Sequence, residues 1–265
     1  MDEKQRSANF ALKRSQAQRN CESRIQKILF SAAKQIVAAS KKYRAAGSLA
    51  RESSLLVEAR NITSALNTQI ESTINAYAEA SCKILGISKT SVVADYLTSN
   101  IFGKTTSARN GDYLRFFAED IVRMIKAGAL MSYTDSQLLA AVRTGYKDPY
   151  SASVITKAKR KDISISTPSY GKGFYRNAYS NIIRNAFGVI ALAWAKAEQE
   201  FGEENGAIGF RVYRGSSFPC AVCDDEVAKG LQPFNTGTFP PFHVHCVCSV
   251  RFEFDDTAVA NQAVE

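Results

Sequence analysis

Apolar residues in the first third of the chain recur at alternating steps of four and three. Ile25, Leu29, Ala32, Ile36, Ala39 and Tyr43 fall on one side of a helix at this spacing, a seam suited to packing on another helix. No glycine or proline precedes Gly47, so nothing interrupts the pattern. Gly47 reads as a helix C-terminal glycine, because Lys41, Lys42 and Arg44 before it suit the negative end of a helix dipole. A second stripe, Ala59, Ile62, Leu66, Ile70, Ile74 and Tyr77, predicts one long helix from Leu49 to Leu85, stopped by Gly86. Residues 1–86 are thus expected to form an antiparallel helical hairpin.

Shorter periodic segments follow. Ser91 to Leu97 is a helix candidate; Lys104 to Gly111 reads as a polar loop, with Asp112 capping a helix to about Ala127. Thr134 and Gln137 have capping-box spacing for a helix ending near Gly145, and Asp148-Pro149 reads as an N-cap and first turn. Lys157 to Lys172 reads as an exposed connector. Tyr175, Tyr179, Ile182, Ile183, Ala186, Ile190 and Trp194 line one side of a predicted helix from Phe174 to Phe201. The pattern then changes to period two: Ile208, Phe210 and Val212, and later Val250, Phe252 and Phe254, predict two strands that pair antiparallel. The expected class is mainly α. A long N-terminal helical hairpin (1–86) and a helical middle region with its connector (87–172) precede a small α+β C-terminal module (173–265).

Composition adds three constraints. The 265 residues are 45% hydrophobic and 22% charged, ordinary for a globular chain. No apolar run approaches the ~20 residues a membrane helix needs, and Met-Asp-Glu-Lys-Gln-Arg with no apolar stretch behind it does not read as a secretory signal. A reducing cytoplasm is therefore expected at synthesis, where cysteines serve as metal ligands or packing more than as disulfides. The net charge is +9, and residues 1–46, with eleven basic and three acidic side chains, hold +8 of it. Such a segment can bind phosphates by releasing counterions, or it can be a solvated helix face.

The chemistry is concentrated near the C-terminus. Cys220 and Cys223 are two residues apart, and His243-Val244-His245-Cys246-Val247-Cys248 follows some twenty residues later. Two tight donor groups joined by a loop are how a chain builds a tetrahedral metal site, and thiolate with imidazole suits structural zinc. The two strands would hold the groups side by side, with Pro219, Pro240 and Pro241 stiffening the approaches. The preferred ligands are Cys220, Cys223, His243 and Cys246, with Cys248 or His245 as alternatives. A reduced thiol cluster packed in a small core, or one or two disulfides, would use the same cysteines differently. Cys21 and Cys82 stand alone on helices and read as packing residues. Asp224, Asp225 and Glu226 offer acidic groups, but they also suit a helix N-terminus. With four good ligands, only two histidines and no nucleophile elbow, phosphate loop or His-Glu-x-x-His helix, no catalytic role is expected.

Three stretches resemble the phage Mu F-like minor head proteins, also called head morphogenesis proteins. They are Gly173-Phe174-Tyr175-Arg176-Asn177-Ala178-Tyr179 continuing to Asn181 and Arg184; Gly209-Phe210-Arg211-Val212 leading into Cys220 and Cys223-Asp224-Asp225; and Pro240-Pro241-Phe242-His243-Val244-His245-Cys246-Val247-Cys248. The last is the most specific. The resemblance spans about residues 145 to 254. Phe187, Gly188 and Val189 depart from the family's Arg-Thr-Glu run, and Val244 and Val247 stand where the family has proline and arginine. The resemblance implies a few-copy virion protein that acts in head assembly beside portal, capsid or scaffold proteins. It would lie in the capsid interior or portal region, and in the host cytoplasm during assembly, with the basic N-terminal helix available to packaged DNA. A nucleic-acid-binding zinc protein, or a toxin or nuclease delivered with the genome, are the alternative readings.

Overall fold

The computed structural model describes residues 2–45, 47–87, 98, 103–171, 174–243 and 246–254. The chain is mainly helical with small antiparallel sheets. Helix α1 runs Glu3–Ala39 and passes through a 3₁₀ turn, Ser40–Tyr43, into a two-stranded ribbon of β1 (Arg44–Ala45) and β2 (Ser48–Leu49). Then come α2 (Glu52–Ser64), α3 (Asn67–Leu85), α4 (Thr106–Leu130), α5 (Asp135–Gly145), α6 (Val154–Lys159) and α7 (Ala178–Glu204). The C-terminal part holds β3 (Ala207–Tyr213), α8 (Ala221–Ala228), β4 (Leu231–Gln232) and β5 (Ser249–Phe254). Among the described residues no helix is long and apolar enough to cross a membrane.

The residues gather into two compact units of discontinuous segments. One holds Met1–Cys21, Ile74–Ser99 and Phe187–Glu265; the other holds Glu22–Thr73 and Asn100–Ala186.

In the second unit the first four residues of the predicted seam are buried, Ile25, Leu29, Ala32 and Ile36 all at or below 1% exposure, while Ala39 and Tyr43 are half-buried. Gly47 ends no helix. It sits at φ +66° in the turn of the β1–β2 ribbon, a conformation that glycine adopts without strain. The ribbon is braced by Tyr43, whose hydroxyl donates to Glu58 on α2 at 2.8 Å, and by the Lys42–Glu58 ion pair. The predicted helix over 49–85 is interrupted between Ser64 and Asn67, where the hydroxyls of Thr63 and Ser64 bond back to carbonyls of the preceding turn. The polar stretch predicted as a loop is the first turn of α4: Thr105 caps it by accepting from the Ala108 amide at 3.2 Å, and Asp112 lies inside the helix. The capping box at Thr134 and Gln137 is present as predicted. Ser153, rather than Asp148, caps the next helix. The predicted helix over 91–97 lies outside the described residues.

Helix α7 begins at Ala178, later than predicted. Asn177 caps it by accepting from Ser180, and the Asn181 amide binds the Tyr175 backbone on both sides, donating to its carbonyl at 3.0 Å and accepting from its N–H at 3.1 Å. The free Ala178 N–H donates to the buried Asp120 of α4 at 3.0 Å.

In the first unit, Phe10 packs on Trp194 with ring centroids 4.9 Å apart, and the Trp194 indole donates to the Tyr77 carbonyl. Its sheet has the order β4-β3-β5, all antiparallel, with Phe210 opposite Phe252 and Val212 opposite Val250. The predicted pairing of the two C-terminal strands is therefore observed, with β4 added beside β3.

Candidate metal centre

The sheet creates the site. Phe210, Val212, Val250 and Phe252 are buried on one side of β3 and β5, and Cys223, Cys246 and Cys248 join the same core cluster. Cys220 and Cys223 come from the start of α8, just after β3. Cys246 and Cys248 lie immediately before β5. Antiparallel pairing sets Tyr213 opposite Ser249, so the chain leaving β3 and the chain entering β5 meet at one end of the sheet. A glycine is needed there: a side chain at Gly215 would overlap the Val247 carbonyl, so only a residue without Cβ lets the two segments approach this closely.

Five donors converge. The Cys220 and Cys223 sulfurs lie 3.3 Å and 3.0 Å from His243 Nε2, and the Cys223 and Cys246 sulfurs are 3.9 Å apart. Cys220, Cys223 and His243 form one set within 4.8 Å of one another; Cys223, Cys246 and Cys248 form a second, and both sets could hold a metal ion. All four preferred donors are thus in the cluster, Cys223 is common to both sets, and Cys248 is as well placed as Cys246. His245 lies outside the described residues. The Cys246 N–H donates to the His243 carbonyl at 3.1 Å, and the Asp224 N–H to the Cys220 carbonyl at 3.0 Å, so each donor group is closed into a turn by its own backbone.

The thiols are unequal. The Cys220 thiol is held below its ordinary range, chiefly by a hydrogen bond from the Cys223 backbone, whereas burial pushes Cys223 up to about 11. Hydrogen bonding from Cys248 holds Cys246 down to about 5, and the same contact, with burial, drives Cys248 upward. Two sulfurs are favoured as thiolates and two resist. A divalent cation supplies the charge that would let them ionise together.

Arg214, which motif spacing did not flag, braces the first donor group. Its guanidinium pairs with Asp224, donates to the Phe218 carbonyl and reaches the Cys220 carbonyl. This occupies Asp224 with a structural partner. Cys21 and Cys82 are buried in helices and belong to neither donor set.

The class defined here is a mainly helical protein with a small antiparallel sheet that carries a cysteine–histidine cluster able to bind metal. The chain shows no significant match to any protein-family model, curated protein or solved structure.

Proposed function

We propose that the chain is a minor head protein of a tailed bacteriophage, acting in head assembly and not as an enzyme, whose C-terminal module is closed by one structural zinc ion. The observation that carries the reading is the convergence of Cys220 and Cys223 with His243, Cys246 and Cys248. His243, Cys246 and Cys248 belong to the stretch on which the resemblance to the Mu F-like minor head proteins is most specific, and Cys220 and Cys223 to a second stretch that resembles them. Around a tetrahedral zinc, sulfur–sulfur edges are ~3.8 Å and sulfur–nitrogen edges ~3.6 Å, given the usual bond lengths. The observed 3.9 Å between the Cys223 and Cys246 sulfurs, and 3.0 and 3.3 Å from Cys223 and Cys220 to His243, lie near three of those edges, and closing the shape would bring the two donor sets together about Cys223. Cys220, Cys223, His243 and Cys246 would hold the ion, with Cys248 able to replace Cys246. Four protein ligands leave no position for a reacting water, which supports a structural role for the ion.

The cationic N-terminal helix supports a second contact, with packaged DNA or an acidic head protein. Its charges divide: Arg14 is buried and Arg6 half-buried, while Lys4, Lys13, Arg19, Arg24, Lys27 and Lys34 are exposed. The exposed six are the ones available to phosphates.

The test is to locate the protein in purified heads. A few copies per head in the wild type, and heads that fail to assemble or lack the protein when Cys220 and Cys223 are both replaced by serine, support the reading. Normal heads without the protein would overturn it.

A further inference from the structure

β5 is an edge strand, and an open edge leaves a row of unpaired backbone groups. In this protein, side chains from the start of α1 cover that edge. Glu3 accepts from the Phe252 N–H at 2.8 Å. Arg6 donates to the Val250 carbonyl at 3.2 Å, and Arg14 to the Cys248 carbonyl at 2.9 Å. The three bonded residues, 248, 250 and 252, alternate along the strand, so they present backbone groups on the same edge. Glu3, Arg6 and Arg14 likewise fall on one face of their helix.

The contacts are fixed in place. The Arg6 guanidinium bonds both Glu3 oxygens at 2.7 Å and Glu198 at 3.0 Å, and it lies over the Phe252 ring at 4.6 Å. Arg14 is 3% exposed and Glu198 2%. A guanidinium buried this deeply is costly unless its bonds persist. Arg14 therefore fixes the backbone of Cys248, a member of the donor cluster, from a helix more than two hundred residues earlier in the chain.

We propose that the first helical turns, Glu3 to Arg14, are an integral strap of the metal module, with Arg14 as a positioning residue for the cysteine cluster. This rests on the zinc reading above. Metal loading and docking of the strap are then coupled: the ion stabilises the docked helix, and the docked helix raises affinity for the ion by the same factor. Outer contacts that orient metal ligands typically change affinity by about tenfold to a hundredfold.

Two measurements on the full chain test this. The first is zinc affinity by competition with a chromogenic chelator. Arg14→Ala should weaken binding by about tenfold or more, Arg14→Lys should recover part of the loss, and Lys13→Ala, which removes an exposed neighbouring charge, should change nothing. The second needs no variant: amide exchange in residues 3–14 of the wild type should slow on adding zinc and quicken on its chelation. Wild-type affinity in Arg14→Ala, or exchange in residues 3–14 that is indifferent to zinc, would overturn the coupling while leaving the zinc site standing. A wild-type chain that binds no zinc at all would remove the zinc reading and this inference with it.

Discussion

Asp120 shows how much one side chain can organise. It is 1% exposed and accepts from the Tyr150 hydroxyl at 2.5 Å, the Tyr170 hydroxyl at 2.6 Å and the Ala178 N–H at 3.0 Å. It thus ties the 160s connector and the start of α7 to α4. Burial raises its carboxyl above the ordinary range, and the three donors oppose that rise. Asp120→Ala leaves those donors unpaired and should cost about 3 kcal/mol or more, read from urea unfolding. A loss below about 1 kcal/mol would show the hub to be incidental. Glu198 is the pH-sensitive counterpart. Burial pushes it up to about 7 from the ordinary 4.5 despite Arg6 beside it. Because its folded value lies above the unfolded one, the folded chain binds the extra proton between those pH values. Its contribution to stability is full below about 4.5, declines as pH rises to about 7 and is level above that. Wild type should therefore lose on the order of 3 kcal/mol relative to Glu198→Gln across that window, and a difference that stays constant with pH would refute the assignment. Neither role is legible in the sequence. Arg6 and Arg14 read there as members of a basic arm, phosphate-binding or solvated, because their partners, Glu198 and Cys248, are more than 190 residues away.

At the level of elements, local signals are legible in the sequence and boundaries less so. The Thr134 capping box was legible because both partners lie within four residues; Thr134→Ala should cost about 1 kcal/mol in thermal or urea unfolding, and no loss would show the box to be idle. The β3–β5 pairing was legible because alternation puts Phe210, Val212, Val250 and Phe252 on one face. The start of α4 was not, because Lys-Thr-Thr-Ser carries the chemistry of a cap and of a loop alike, and only the Thr105–Ala108 bond distinguishes them. Gly47 misled for a related reason: a glycine after a basic run suits a helix end, but the chain turns there through a ribbon. The metal cluster was legible by spacing, whereas its supports, Gly215 and Arg214, were not, since neither belongs to a donor motif. Gly215→Ala should force the two donor segments apart and weaken zinc binding by about tenfold or more in chelator competition. Unchanged affinity would mean that the close approach to Val247 is dispensable.

On the scale of the whole molecule, stability and the proposed function would rest on the same feature. The three-stranded sheet carries a small core in which Cys223, Cys246 and Cys248 are buried, and the proposed ion would tie Cys220 and Cys223 to His243 and Cys246, linking segments some twenty residues apart. The most direct test is the metal content of the purified full chain, measured with its thermal stability before and after chelation. The proposed zinc site requires one zinc per chain, lost in the Cys220→Ser/Cys223→Ser double variant, and a clear fall in melting temperature when the ion is removed. A metal-free chain whose melting temperature is indifferent to chelator would contradict it.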